Sequence, residues 1–234
     1  MTDYIRSAQK EVLDVFSKLQ SSFALAGGTA LELYYLHHRF SVDLDFFSPV
    51  YTSKEVDAIT AFLKKNFKGI KLESELEVSA KAKVRFYSLL LKGSRQLKID
   101  FIQDVVLDKP KIIKFNAVPV YSARDIYFHK IVAITGMLAE EDYIGRKVTS
   151  GRKKARDVFD LYILSKKIQP LHLFAGKIPG HLQRGLVHWY RSFSRQDLKL
   201  DLLDLDIYDK KFNAKEMVIY LENEIKQFIE KVLE

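Results

Sequence analysis

The sequence of 234 residues contains no cysteine. That absence excludes disulfides and thiolate metal sites. It also fits a reducing compartment, so a cytoplasmic location is expected. No uninterrupted apolar run is long enough to span a bilayer. The N-terminal stretch MTDYIRSAQKEVLDVF is polar and amphipathic and has no signal-peptide apolar run. No membrane partner is therefore expected. Internal repeats, low-complexity tracts and Gly/Ser-rich linkers are missing too. What is present is an ordinary globular composition, 47% hydrophobic and 29% charged. Such a chain can bury a core as one large domain or two small ones. The formal net charge of +8 favours a polyanionic partner: nucleic acid, nucleotide or acidic protein. Simple solubility is the bland reading of the same charge.

The periodicities predict a mixed first half. Ile5, Val12, Val15, Phe16 and Leu19 make a helical stripe. Residues 23–26 read as a short strand ending at Gly27-Gly28, and a helix follows over 29–36. Residues 42–47 read as a strand and 56–67 as an amphipathic helix. Two strands, 84–91 and 96–105, flank a reversal at Gly93-Ser94. Residues 111–121 form an extended segment with a turn at Asn116. After that the character changes. Ser122-Ala-Arg-Asp125 has capping-box spacing ahead of an apolar helix over 126–138. Helices are expected over 155–165 and 182–193. A last one, capped at Asn213, carries Val218, Leu221, Ile225, Phe228, Ile229 and Val232 on one face. The expected organisation is α+β: an α/β domain over 1–121, then a helical domain over 122–234.

The stretch Gly27 to Phe47, GGTALELYYLHHRFSVDLDFF, carries the chemistry. Side chains alternate along a strand, so Asp43 and Asp45 share one face while Val42, Leu44 and Phe46 share the other. Two like charges held together repel unless a cation lies between them, and Mg²⁺ suits carboxylates combined with substrate phosphates. At Gly27-Gly28-Thr29, a helix start offers unpaired N–H groups and partial positive charge. Glycine lets a phosphate approach the backbone, and Thr29 adds a hydroxyl donor. A third carboxylate comes from Leu97-Lys-Ile-Asp-Phe-Ile102, where Lys98 and Asp100 share a face. If this strand lies beside residues 43–47, Asp100 joins the pair. Three carboxylates can hold two Mg²⁺ ions and orient an attacking hydroxyl.

Each piece has a bland alternative. Gly-Gly is more often only a tight turn, D-x-D a solvated strand face, and K-x-D plain surface. The joint order is what points to chemistry. A glycosyltransferase D-x-D needs no upstream glycine turn. A haloacid-dehalogenase-type D-x-D ends a hydrophobic strand, whereas here Phe40-Ser-Val precedes it.

Gly27-Gly28-Thr29-Ala30, His38-Arg39, Ser41 and Asp43-Leu-Asp-Phe-Phe47 resemble the AbiEii/AbiGii toxin family, nucleotidyltransferase-like proteins of toxin–antitoxin and abortive-infection systems. The resemblance covers roughly residues 22–165. It implies a nucleotidyltransferase-type mixed sheet flanked by helices, followed by a helical region. It also implies four motifs. The first maps to Gly28, Thr29, Asp43 and Asp45, and the second to Lys98 and Asp100. Thr29 stands where the wider polymerase-β superfamily often has serine. The third, a helical lysine, maps to Lys130. The fourth, R-D-x-x-D, maps to Arg156, Asp157 and Asp160 behind the basic run Arg152-Lys153-Lys154. By spacing alone, Arg156 and Asp160 can pair at i,i+4, or the segment is a solvated charged face. Lys130 either snorkels outward or points at an anion; the resemblance favours the anion. His37 and His38 could touch nucleotide, but the expectation is a structural role or one supporting the residues that do. The run 198–206, LKLDLLDLD, is expected to be amphipathic structure.

The function implied is Mg²⁺-dependent transfer of a nucleotide from an NTP to an RNA 3′ end, such as that of tRNA, or to a protein hydroxyl. Asp43, Asp45 and Asp100 hold metal in that reading. Gly27, Gly28, Thr29 and Lys98 bind nucleotide, and Lys130 and Asp157 assist catalysis. A cognate antitoxin is a further expected partner. Two alternatives stay open: a nucleotide- or nucleic-acid-binding protein of the same fold that has lost transfer activity, and a basic surface that mainly docks an acidic antitoxin.

Overall fold

The computed structural model describes residues 2–77, 82–93, 95–136, 139–141, 147–149, 151–152 and 154–233. Ser94, Leu138 and Lys153, which figured in the expectations above, lie outside the described residues. The fold is α+β. The chain divides into two compact units, Met1–Tyr35 with Phe40–Asp125, and Leu36–Arg39 with Ile126–Glu234. The division falls between Asp125 and Ile126, and four residues between the glycine turn and the D-x-D strand belong with the C-terminal half.

The first unit is built on a seven-stranded mixed sheet in the order β3-β4-β5-β2-β1-β7-β6. The strands are β1 (Ala24–Ala26), β2 (Leu44–Ser48), β3 (Ile70–Leu76), β4 (Val84–Leu90), β5 (Gln96–Gln103), β6 (Ile112–Phe115) and β7 (Val118–Tyr121). β1 pairs antiparallel with β2 and parallel with β7, while β2 pairs parallel with β5. The β6–β7 turn puts Asn116 and Ala117 at φ 46° and 68°. Helix α1 (Thr2–Phe16) turns Ala8, Val12, Leu13 and Phe16 inward. Phe16 stacks on Phe46 at 4.2 Å, and Phe46 stacks on Phe101 at 5.5 Å. α3 (Ser53–Asn66), capped by the Thr52 hydroxyl accepting from the Glu55 N–H, packs beside α1. This apolar layer covers one sheet face, the one bearing Leu44, Phe46, Ile99 and Phe101. Asp45 and Asp100 alternate onto the other.

Three details differ from the sequence expectation. β2 starts at Leu44, so Asp43 sits just ahead of the strand, and Val42 is 40% exposed rather than packed. The helix after the glycines begins at Gly27, as α2 (Gly27–Ala30), and widens into a π-helical segment over Leu31–Leu36. β3 was not foreseen. It is an edge strand whose residues after Ile70 are all exposed, so it lacks an apolar alternation.

The second unit is mainly helical. α4 (Ala123–Thr135) begins in the first unit, capped as expected: the Ser122 hydroxyl donates to Asp125 Oδ2 at 2.8 Å, and the Asp125 N–H donates to Ser122 Oγ at 3.2 Å. A two-stranded hairpin (Ala139–Glu141 and Lys147–Thr149) and α5 (Ala155–Lys167) follow. Then come α6 (Leu171–Ala175), α7 (Gly180–Ser192), α8 (Arg195–Asp201), a 3₁₀ turn (Leu202–Asp204) and α9 (Ala214–Leu233). α6 was missed because five residues show no full helical period. α9 buries Met217, Val218, Leu221, Ile225 and Phe228, but Val232 is 60% exposed. Among the described residues no helix is long and apolar enough to cross a membrane.

Candidate active site

The register of β2 against β5 builds the site. Asp45 and Asp100 are direct partners on neighbouring parallel strands, so their backbones lie about 4.8 Å apart and their side chains leave the same face. On the other side of β2, Asp45 is opposite Ala26, the last residue of β1. The chain then turns through Gly27 at φ +69°, a left-handed conformation glycine adopts without steric cost. A Cβ there would stand 2.5 Å from Asp45 Oδ2. The turn is therefore glycine for two reasons, its backbone angle and the carboxylate pressed against it. The α2 start carries no side-chain cap at Ala26, and a helix start of this kind offers N–H groups to an anion.

Asp43 is held from several sides. The Thr29 hydroxyl, itself fully buried, donates to the Asp43 carbonyl oxygen. Its one donor hydrogen is thus committed to the backbone ahead of β2, where the sequence had suggested a phosphate. The residues before Asp43 are held by α1: the buried Gln9 amide donates to the carbonyls of Ser41 at 2.9 Å and Val42 at 2.8 Å. Arg6 bonds Gln9 at 2.8 Å and pairs with buried Glu32, whose second oxygen accepts the Ser41 N–H at 2.8 Å. Sequence reasoning missed this support. Its signal was available: Gln9 is a polar residue on the apolar stripe of α1.

Asp100 is only 5% exposed, and its Oδ1 is buried without a hydrogen-bond partner. Burial, then the Asp45 charge, and more weakly Asp43, push its pKa up to about 7 against the opposing pull of Lys98. Lys98 Nζ lies 3.5 Å from Asp100 Oδ2 with its side chain 53% exposed. An orphaned buried carboxylate oxygen beside a second carboxylate is a donor set suited to a hard divalent cation. Among the described residues, no three His, Asp or Glu side chains are gathered tightly enough to cage a cation as they stand. Mg²⁺ commonly takes only one or two carboxylates and completes its shell with water and substrate phosphate, so the residues fit that ion in company with a nucleotide.

Lys130, Asp157 and Asp160 lie in the second unit and are brought together there. All three are buried. Lys130 Nζ meets Asp157 Oδ1 at 2.6 Å and Asp160 Oδ2 at 2.7 Å. Arg39 binds Asp160 with two nitrogens at 2.7 and 2.8 Å, and His38 Nε2 lies 2.8 Å from Asp160 Oδ1. Arg152 approaches Asp157 Oδ2 at 3.7 Å. Burial alone would lower the Lys130 pKa, but Asp160 and Asp157 hold it above its usual value. Burial likewise opposes ionisation of both aspartates, yet Lys130 with Arg152 lowers Asp157, and Lys130 with Arg39 holds Asp160 well below the carboxylate range. Asp160 is fully buried in this cluster, while Arg156, four residues earlier, is exposed rather than part of a wholly solvated face. His38 is buried on Asp160, with its Nδ1 buried without a hydrogen-bond partner. His37, at φ 46°, packs on Tyr208.

Comparison with known proteins gives the family and the fold. The family model described as nucleotidyl transferase AbiEii toxin, type IV TA system, matches residues 12–231. The JHP933 protein of Helicobacter pylori has the same fold, with a TM-score of 0.58 at 19% identity over 99% of this chain and 94% of that one. A candidate nucleotidyltransferase from H. pylori gives 0.59 at 18% identity, covering 97% and 95%. No functionally curated protein sequence matches the chain. With residues 12–231 inside the model, from α1 to the end of α9, the chain belongs to the AbiEii family of nucleotidyl transferase toxins and is a nucleotidyltransferase.

Proposed function

We propose that the first unit binds an NTP with Mg²⁺ and transfers its nucleotide to a hydroxyl of an RNA, with the 3′ end of a tRNA as the leading acceptor and a protein hydroxyl as the other. The hydroxyl oxygen bonds to the α-phosphorus, the bond to the β-phosphate oxygen breaks, and pyrophosphate leaves. The observation that carries this is the pairing of Asp45 with Asp100 beside the Gly27 turn. Asp43, Asp45 and Asp100 are the residues that would hold the cation, with room in the donor set for two ions. When bound, the ion neutralises phosphate charge and activates the attacking hydroxyl. The backbone N–H groups of Gly28 and Thr29 receive triphosphate oxygens. Lys98, with its exposed ammonium, balances phosphate charge. Asp100 would complete the cation's donor set or take the proton of the incoming hydroxyl. Catalysis is then mainly alignment and charge neutralisation. Lys130 and Asp157 enter as a preformed buried pair, whose part is to hold charge in a fixed place.

The chain's family is the toxin of a type IV toxin–antitoxin system, which supports growth arrest as the biological output and an antitoxin as the opposing component. The test is incubation of the purified chain with each labelled NTP, Mg²⁺ and total tRNA. The expected result is labelled RNA, lost with Asp43→Ala or Asp45→Ala. Nucleotide binding without label would leave the inactive binding protein as the reading. Growth arrest on expression, abolished by Asp43→Ala, checks the toxin role.

A further inference from the structure

The longest stretch of the chain without Asp or Glu runs over residues 161–196. It holds Lys166, Lys167, Lys177, Arg184, Arg191 and Arg195, against a net charge of +8 for the whole chain. At its centre is α7. Its buried face is Leu182, Gly185, Leu186 and Trp189. Its exposed face carries His181, Arg184, His188 and Arg191, spaced by three, four and three residues. That spacing sets them in one row along about 15 Å of helix. The row borders a cavity of about 380 Å³ whose apolar wall is Val187, Phe228, Ile229 and Val232, with no acidic residue in its lining. The neighbouring acid on α9, Glu222, is already engaged by Tyr190 and by Lys226 at 3.3 Å.

At the end of the row the side chains change character. Trp189 and Phe193 stack at 4.7 Å with their planes 8° apart. The Arg195 guanidinium lies over both Tyr190 and Phe193, at 5.1 and 5.3 Å. Trp189 is buried and backs Phe193, so the flat groups open to a base are Tyr190, Phe193 and the exposed Arg195 guanidinium, with Asp197 and Asp201 lining the cavity beside them. Phosphates follow the cations in line, and unpaired bases stack on those groups. An acidic amphipathic helix would use the cations and the apolar groove, but it has no use for the stacked end.

We infer that the α7 face of the second unit is a binding surface for single-stranded RNA, sequence-tolerant and dominated by phosphate contacts. This rests on the proposed transfer to RNA, for which it supplies the acceptor's docking surface. Fluorescence anisotropy with a labelled single-stranded RNA and with tRNA, over a salt series, tests it on the full chain. Arg184→Glu with Arg191→Glu should weaken binding at least tenfold. The plot of log affinity against log salt should flatten by roughly 1.4, two phosphate contacts at about 0.7 each. Arg184→Lys with Arg191→Lys should keep the slope. Both positions are exposed, and a thermal melt of each variant confirms its folding. Unchanged affinity and slope in the charge-reversed variant overturn the inference. So does loss of binding to an acidic helical peptide with RNA binding intact. A wild-type chain that binds RNA through Arg184 and Arg191 yet transfers no nucleotide would sink the transfer reading and leave this surface standing.

Discussion

The two units each hold a set of buried or half-buried aspartates, and they treat them in opposite ways. In the second unit, Asp157 and Asp160 meet Lys130 and Arg39 at hydrogen-bond distance, and both carboxylates are held below their usual pKa. In the first, Asp43, Asp45 and Asp100 have Lys98 as the cation acting on Asp100, and Asp100 is pushed up to about 7. The second arrangement is electrostatically closed. The first is open at Asp100, whose Oδ1 is buried without a hydrogen-bond partner. A buried carboxylate oxygen that the fold leaves unsatisfied, beside a second carboxylate, is suited to a cation from outside.

The contrast can be broken most sharply at Asp45. Asp45→Ala should reduce transfer by about 10³-fold or more while leaving the unfolding midpoint in urea unchanged or raised, because a like-charge repulsion is removed. Asp160→Ala should do the opposite. It leaves Lys130 and Arg39 buried without that partner, and a broken buried ion pair costs about 3–5 kcal/mol, readable by urea unfolding. If the two variants exchange phenotypes, the distinction drawn here between an open and a closed cluster is wrong.

Gly27→Ala comes next. The left-handed backbone costs about 1–2 kcal/mol for an alanine, and the new methyl must displace the Asp45 carboxylate. Transfer should fall about 10- to 100-fold with a modest loss in thermal stability. Gly93→Ala, also at positive φ but with nothing within 4 Å, should show the backbone cost alone.

The smallest effect concerns pH. Asp100 has a folded pKa raised above its unfolded value of 3.8, so the native chain binds more protons than the unfolded one between the two. Its contribution is present below about pH 4 and is lost as pH rises towards 7. Asp157 and Asp160 have lowered values, and their contribution is lost only as pH falls below about 4. Asp100→Asn should flatten the decline between pH 4 and 7 and stabilise the chain at pH 8 by on the order of 1–3 kcal/mol. Chemical denaturation across that range reads the difference.

The local parts of this structure were legible in the sequence. Alternation gave β4 and β5, and the caps at Ser122 and Asn213 marked two helix starts, because such signals involve residues three or four apart. The Asn213 side chain does accept from the N–H groups of Lys215 and Glu216. The acidic candidates were legible by residue type, since a D-x-D and a K-x-D are short. Their meeting was an expectation conditional on the two strands being neighbours, because the β2–β5 register couples positions 55 residues apart and depends on the whole sheet. Lys130 shows the same limit. Its helix is local, but the carboxylates that capture its ammonium come from α5. The transfer of Leu36–Arg39 to the second unit left no mark in the sequence at all. It is fixed by Arg39 and His38 on Asp160 and by the Tyr208 N–H donating to the His38 carbonyl at 3.1 Å.

Calorimetric titration of the purified chain with each NTP, with and without Mg²⁺, bears most directly on the open cluster. The structure predicts nucleotide uptake that requires the cation and disappears in Asp45→Asn, with Asp160→Asn tested at a temperature where it remains folded. Uptake of equal strength without Mg²⁺, or full cation-dependent uptake by Asp45→Asn, would contradict it.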